Sequence, residues 1–183
     1  RCFYRDDFPG TSISANWVET AGTITVSGGI ATVGPNASPS GMRNSVLDVS
    51  PATDIDWVVE GQFGQNGDQF FATDKSPHQD GARWNRSGAN LLAVKLVNGV
   101  ETTVATVASV PNLTTIKLRI ETIGSTVNWY KQEIGLDSTW VLSATDSFTW
   151  DGNNKSLRIG IVDNDIATYL VDKVYQETLR ISC

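Results

Sequence analysis

The chain has 183 residues and a formal charge of −6, with 40% hydrophobic and 19% charged residues; this is the length of one domain and the composition of a folded chain. Its 14 basic residues lie singly among 20 acidic ones, which excludes a broad basic surface for nucleic acid. No apolar run approaches the ~20 residues that span a bilayer, and the opening Arg1-Cys2-Phe3 carries neither a signal peptide nor an initiator Met, as expected of a processed, excised or trimmed chain.

In chain order, Cys2 comes first, with its only possible partner at the far end, Cys183. They are either two free thiols or one bridge. A bridge needs Cα atoms roughly 4.4–6.8 Å apart, and its register would set Tyr4 opposite Ile181. Thr23 to Val26 is rich in β-branched residues and ends in the turn Ser27-Gly28-Gly29, and Pro35 to Gly41 reads as a loop. Ile55 to Phe63 alternates apolar and polar residues, with Asn66-Gly67-Asp68 as the next turn. Leu96-Val97-Asn98-Gly99-Val100 is the strongest hairpin signal, because a type I′ turn needs positive φ at both central residues. Val100 to Val107 continues as a strand. Ile116 to Glu121 alternates strictly, Ile123-Gly124-Ser125 turns the chain, and Val127 to Tyr130 returns it. Leu136 to Leu142 has room for one helical turn at most. Asp151-Gly152-Asn153-Asn154 precedes the alternating Leu157 to Ile161, and Tyr169 to Val174 closes the series. The period is two throughout, and turns recur every 8–12 residues or so. About a dozen or more short strands therefore predict an all-β sandwich or barrel. We find no linker, repeat or low-complexity tract, so residues 1–183 are expected to form a single domain.

Arg5-Asp6-Asp7-Phe8-Pro9-Gly10 with Asn16-Trp17 resembles the opening of concanavalin A-like lectin and glucanase jelly rolls, laminin-G-like modules among them. Gly22 to Ile30 is similar to their next hairpin, and Lys117 to Glu121 with Val127 to Tyr130 to their central one. Arg158 to Ile161 and Ala167 to Val174 resemble the closing motifs. The resemblance implies a two-sheet antiparallel jelly roll with first and last strands adjacent, in agreement with a Cys2–Cys183 bridge. It also implies a calcium site near the paired termini, carried by Asp7 and Asp172 with Asp6 beside them. Calcium suits such oxygen ligands.

Few residues suggest catalysis. Glycoside hydrolysis needs two carboxylates roughly 5–9.5 Å apart. Asp54-Ile55-Asp56-Trp57-Val58-Val59-Glu60 puts Asp56 and Glu60 on one strand face. That run departs from the Glu-x-Asp-x-(x)-Glu of glucanases, and a solvated strand face accounts for it. His78, the one histidine, sits in a loop-like run, so a Ser-His-Asp relay and a zinc site lack ligands. Asp163-Asn164-Asp165 lacks the rest of an EF-hand and reads as a turn. Of the six tryptophans, Trp17, Trp57 and Trp129 have inward strand parity. Trp84 differs, since it lies in Asp80-Gly81-Ala82-Arg83-Trp84-Asn85-Arg86-Ser87-Gly88 among polar and flexible residues. An aromatic face beside Asp, Arg and Asn groups suits sugar binding. Trp84, Asp80, Arg83 and Asn85 are therefore the candidate glycan site, provided that a turn or bulge gathers them. Trp150 and Tyr130 are next in line. Four Asn-x-Ser/Thr sequons, at Asn36, Asn85, Asn112 and Asn154, are close to chance and decide nothing.

The expectation is a non-catalytic carbohydrate-recognition module of a secreted, cell-surface or phage-tail protein, on its own or as part of a larger chain or homo-oligomer. The alternatives are a structural or protein-interaction module of a virion or surface assembly, and, more weakly, a glycan hydrolase or lyase. If Asp7 and Asp172 ligate calcium, millimolar calcium should raise the melting temperature relative to excess chelator. A native-state ligand at one hundred times its Kd stabilises by about 2.7 kcal/mol. No shift would remove the site.

Overall fold

The computed structural model describes residues 4–22, 24–33, 40–62, 68–74, 80–107, 110, 114–150, 154–161 and 169–176. Among them are strands β1 (Arg5–Asp6), β2 (Trp17–Ala21), β3 (Ile24–Ser27), β4 (Ile30–Val33) and β5 (Ser40–Val49). Next come β6 (Asp56–Gln62), β7 (Asp68–Asp74), β8 (Gly81–Ser87), β9 (Asn90–Val97) and β10 (Val100–Val107). The last are β11 (Thr115–Ile123), β12 (Thr126–Glu133), β13 (Val141–Ser147), β14 (Lys155–Ile161) and β15 (Tyr169–Gln176). The described residues contain no helix. Two antiparallel sheets face each other, an eight-stranded one ordered β13-β12-β11-β6-β15-β4-β3 with β1 on β15, and a seven-stranded one ordered β10-β9-β8-β7-β14-β5-β2.

The expected turns form. Asn98 and Gly99 both take positive φ, 52° and 75°, so Val97 meets Val100 directly across a two-residue loop. Gly124, at φ 59°, turns β11 into β12 with Ile123 opposite Thr126. The first strand pairs with the last: Arg5 lies opposite Tyr175 and Asp6 opposite Val174. That is not the register in which Tyr4 would meet Ile181. Cys2 and Cys183 lie outside the described residues.

Alternation delivers one face of each strand to the interior. Trp57, Val59, Leu118, Ile120, Val127 and Trp129 enter from the eight-stranded sheet; Phe70, Ala72, Ala82, Trp84, Leu157 and Ile159 enter from the other, and all are buried. Two indoles then cross the interior in opposite directions. Trp84 on β8 donates from Nε1 to the Arg119 carbonyl on β11 at 3.2 Å. Trp129 on β12 donates from Nε1 to the Arg83 carbonyl on β8 at 3.0 Å.

This corrects the reading of residues 80–88. The run is a regular strand, not a turn, and the indole of Trp84 is fully buried rather than offered to a ligand. The strand was hard to recognise because its inward positions are Ala82, Trp84 and Arg86. The Arg86 side chain is 1% exposed and donates within the sandwich to the carbonyls of Gly88 and Val110, each at 2.6 Å. Trp84→Ala should therefore lower the unfolding free energy by about 3–5 kcal/mol, the usual effect of truncating a core tryptophan. Urea denaturation measures it, and a loss below about 1 kcal/mol would place the indole at the surface.

Candidate functional site

Burying Trp84 sends its neighbours the other way, since successive side chains on a strand leave by opposite faces. Arg83 and Asn85 thus share the outer face of the seven-stranded sheet. Ladder pairing extends that face across the sheet. Val18 lies opposite Arg43, Arg43 opposite Arg158, and Arg158 opposite Phe71. Phe71 lies opposite Arg83, Arg83 opposite Val94, and Val94 opposite Thr103. One transverse row therefore carries three arginines, at 43, 158 and 83. The next row carries Gly41, Gly160, Gln69, Asn85 and Leu92.

The middle of this face is little exposed: Arg83 is 9% exposed and Val94 only 3%. Arg43 Nη1 meets Asp48 Oδ2 at 3.3 Å. Arg83 pairs through Nη2 with Glu101 of edge strand β10. The two partners differ in solvent contact, the Arg83 side chain being 11% exposed and that of Glu101 52%. Arg83 Nε and Asn85 Oδ1 on this face are buried without a hydrogen-bond partner. Buried polar atoms are rarely left in that state.

Of the four expected site residues, only Arg83 and Asn85 come together. Asp80 is buried at the sandwich margin, where Oδ1 accepts the backbone N–H of Asn98 at 2.8 Å and holds the β9–β10 turn. The metal candidates divide similarly. Asp7 accepts Arg5 Nε on both carboxylate oxygens at 2.9 Å, in an exposed pair. Asp172 lies in β15, but its side chain is outside what is described. Asp6 accepts the backbone N–H of Phe8 at 2.8 Å, Trp17 Nε1 at 2.9 Å and Ser14 Oγ at 3.1 Å. It thereby docks Phe8, at φ 48°, onto Trp17. No cluster of three or more metal-ligating side chains occurs among the described residues.

The opposite face holds a second arginine cluster. Arg119 binds Asp56 through Nε at 2.6 Å and Nη2 at 2.9 Å, and reaches Glu121 at 3.2 Å. Its guanidinium lies 4.8 Å from the Tyr130 ring centroid and 5.6 Å from that of Trp140. Glu121 also accepts Asn128 Nδ2 at 3.1 Å and Tyr130 Oη at 3.0 Å. Burial, then the hydrogen bond to Glu121, pushes the Tyr130 phenol up. Glu60, on the same face as Asp56, is held by Lys173 at 3.3 Å and Lys117 at 3.9 Å. Both carboxylates are thus committed to cations. At the end of the sandwich a cleft of about 300 Å³ is lined by Pro51, Ala52, Gly124, Phe148 and Trp150. Behind it the buried Lys155 donates to the Thr53 carbonyl at 2.7 Å, with its ammonium 4.9 Å from the Trp150 ring centroid.

The fold, a two-sheet antiparallel jelly-roll sandwich, is shared with solved structures. A Crh5 transglycosylase in complex with NAG superposes with a TM-score of 0.69 at 15% identity, over 96% of this chain and 84% of that one. A Bacillus licheniformis beta-glucanase gives 0.68 at 10% identity, over 97% and 98%. The CBM2 module of the evolved Dit of Lactobacillus casei BL23 phage J-1 gives 0.65 at 11% identity, over 98% and 96%. Comparison with protein-family models finds no match, and comparison with curated proteins finds none either. At these identities the likeness establishes the fold alone.

The Lys155 site predicts a pH effect. Burial pulls its pKa down from 10.5 to about 8, against a smaller opposing pull from Asp54. Below pH 8 the lysine is protonated in both folded and unfolded chains, and the full burial penalty stands. Between about pH 8 and 10.5 the folded protein releases the proton first, and the penalty fades. Wild type should therefore gain stability relative to Lys155→Met across that window. A constant difference would show that the ammonium is not desolvated.

Proposed function

We propose that this domain is a non-catalytic carbohydrate-recognition module that binds glycan on the outer face of the seven-stranded sheet. The observation that carries the reading is that two polar atoms of neighbouring positions on this outer face, Arg83 Nε and Asn85 Oδ1, are buried without partners. A sugar hydroxyl both accepts and donates, so one ring can serve the guanidinium N–H and the amide oxygen together. The half-buried Leu92, opposite Asn85, adds apolar surface for the C–H face of a ring.

The reciprocal full-length likeness to the phage CBM2 module supports a binding role. The names of the transglycosylase and the glucanase favour a second reading, glycan hydrolysis or transfer. That reading needs a carboxylate pair free to act as acid and base or nucleophile. On the faces described above, Asp48, Asp56, Glu60, Glu101 and Glu121 are each ion-paired. A structural module without a sugar site is the third reading. A binding module of this kind belongs on a secreted, cell-surface or virion protein.

A glycan array probed with the purified domain tests the proposal. Binding is expected, and Asn85→Ala should weaken it by about tenfold, the usual effect of losing a well-placed contact. An empty array from the folded domain favours the structural module. Reducing ends or unsaturated product released from a bound polysaccharide would favour the enzyme.

A further inference from the structure

The row of arginines narrows the ligand class. We infer that the glycan recognised on this face is acidic, and that its carboxylate docks on Arg83 in the place now taken by Glu101. The inference rests on the proposed carbohydrate site and names its substrate class.

Three observations carry it. First, a chain of charge −6 sets three of its 14 basic residues in one row across one sheet face, Arg43 beside Arg158 and Arg83 one strand further on, beyond Phe71. Ladder neighbours lie roughly 4.8 Å apart, so Arg158 is one step from Arg43 and roughly 9.6 Å from Arg83, a span on the scale of a short oligosaccharide. Repulsion among such cations must be offset by anions, and a neutral ligand would gain nothing from placing them together.

Second, Arg43 and Arg83 are each answered by a carboxylate of the chain itself. Asp48 meets Arg43, and Glu101 meets Arg83. A guanidinium fork fits a planar carboxylate, and the pairing is stronger when shielded from water. This face is therefore already a carboxylate receptor.

Third, the two pairs are not equally closed. Asp48 is 12% exposed beside an Arg43 at 18%, so that pair is shielded as a unit. Glu101 is 52% exposed, comes from an edge strand and reaches in to an Arg83 that is 11% exposed. Arg83 also keeps a buried Nε without a partner. Glu101 thus meets Nη2 and leaves Nε unmet. A ligand carboxylate beside a ring hydroxyl would satisfy both, and the displaced Glu101 would return to water at little cost, since it is half solvated already.

Isothermal titration with three oligosaccharides separates the possibilities: an oligogalacturonate, a sulfated oligosaccharide and a neutral mixed-linkage β-glucan fragment. Wild type should prefer the oligogalacturonate by about tenfold or more, the size expected of one shielded charge-assisted contact. Arg83→Gln should lose that preference. Glu101→Gln, at a half-exposed edge position, should keep the fold and tighten oligogalacturonate binding several-fold, because the competitor for Arg83 is gone. Equal affinity for the neutral fragment, preference for the sulfated one, or weaker binding in Glu101→Gln would each overturn the inference and leave glycan recognition intact. Binding to none of the three, with an empty array, would overturn the carbohydrate reading itself.

Discussion

Two indole N–H groups tie the sheets together from opposite sides. Trp84 reaches from the seven-stranded sheet to the Arg119 carbonyl, and Trp129 reaches back to the Arg83 carbonyl. Both rings are fully buried, so neither donor has water as an alternative. A buried donor left unmet costs about 1–3 kcal/mol, and the rings themselves contribute much of the core contact. The two bonds also fix direction. With Trp84 inward on β8, Arg83 and Asn85 must leave by the outer face. With Leu118 and Ile120 inward on β11, Arg119 must leave by the other.

The two arginines whose carbonyls receive these bonds have different surroundings. Arg119 sits among two carboxylates and two aromatic rings, with its charge answered on the edge and its faces covered. Such a network binds β6, β11, β12 and Trp140 into one unit and has little to offer a ligand. Arg83 has one carboxylate, drawn from the sheet edge, and a buried Nε left over. A protein retains incomplete polar networks chiefly where something else completes them. It is this difference in satisfaction, rather than in residue type, that supports the proposed site on the outer face of the seven-stranded sheet.

Much of the sandwich was readable from period and turn chemistry. Asn98-Gly99 fixed one hairpin, and Trp57 and Trp129 disclosed their inward parity. The segment around Trp84 was misread because only Ala82 and Trp84 signal its buried face, while Arg86 occupies the third inward position and imitates a polar loop. The same parity argument that separates Trp84 from Arg83 and Asn85 was available in the sequence, and it holds. The arginine row was not available. Arg43, Arg83 and Arg158 are far apart in the chain, and they meet only through the registers of β5, β14, β7 and β8, which local propensity does not encode. The buried Lys155 was hidden for the same reason: a lysine at the start of a strand looks solvated until Thr53 and Trp150 are brought to it.

The most direct test of the account is where a sugar lands. Amide chemical-shift mapping during titration with an oligogalacturonate gives that position without any substitution. The account predicts perturbations concentrated on β5, β14 and β8 around Arg43, Arg158, Arg83 and Asn85, with the β10 edge at Glu101 moving as its side chain is displaced. A footprint confined to the cleft of Pro51, Gly124 and Trp150, or to the Arg119 face, would contradict it.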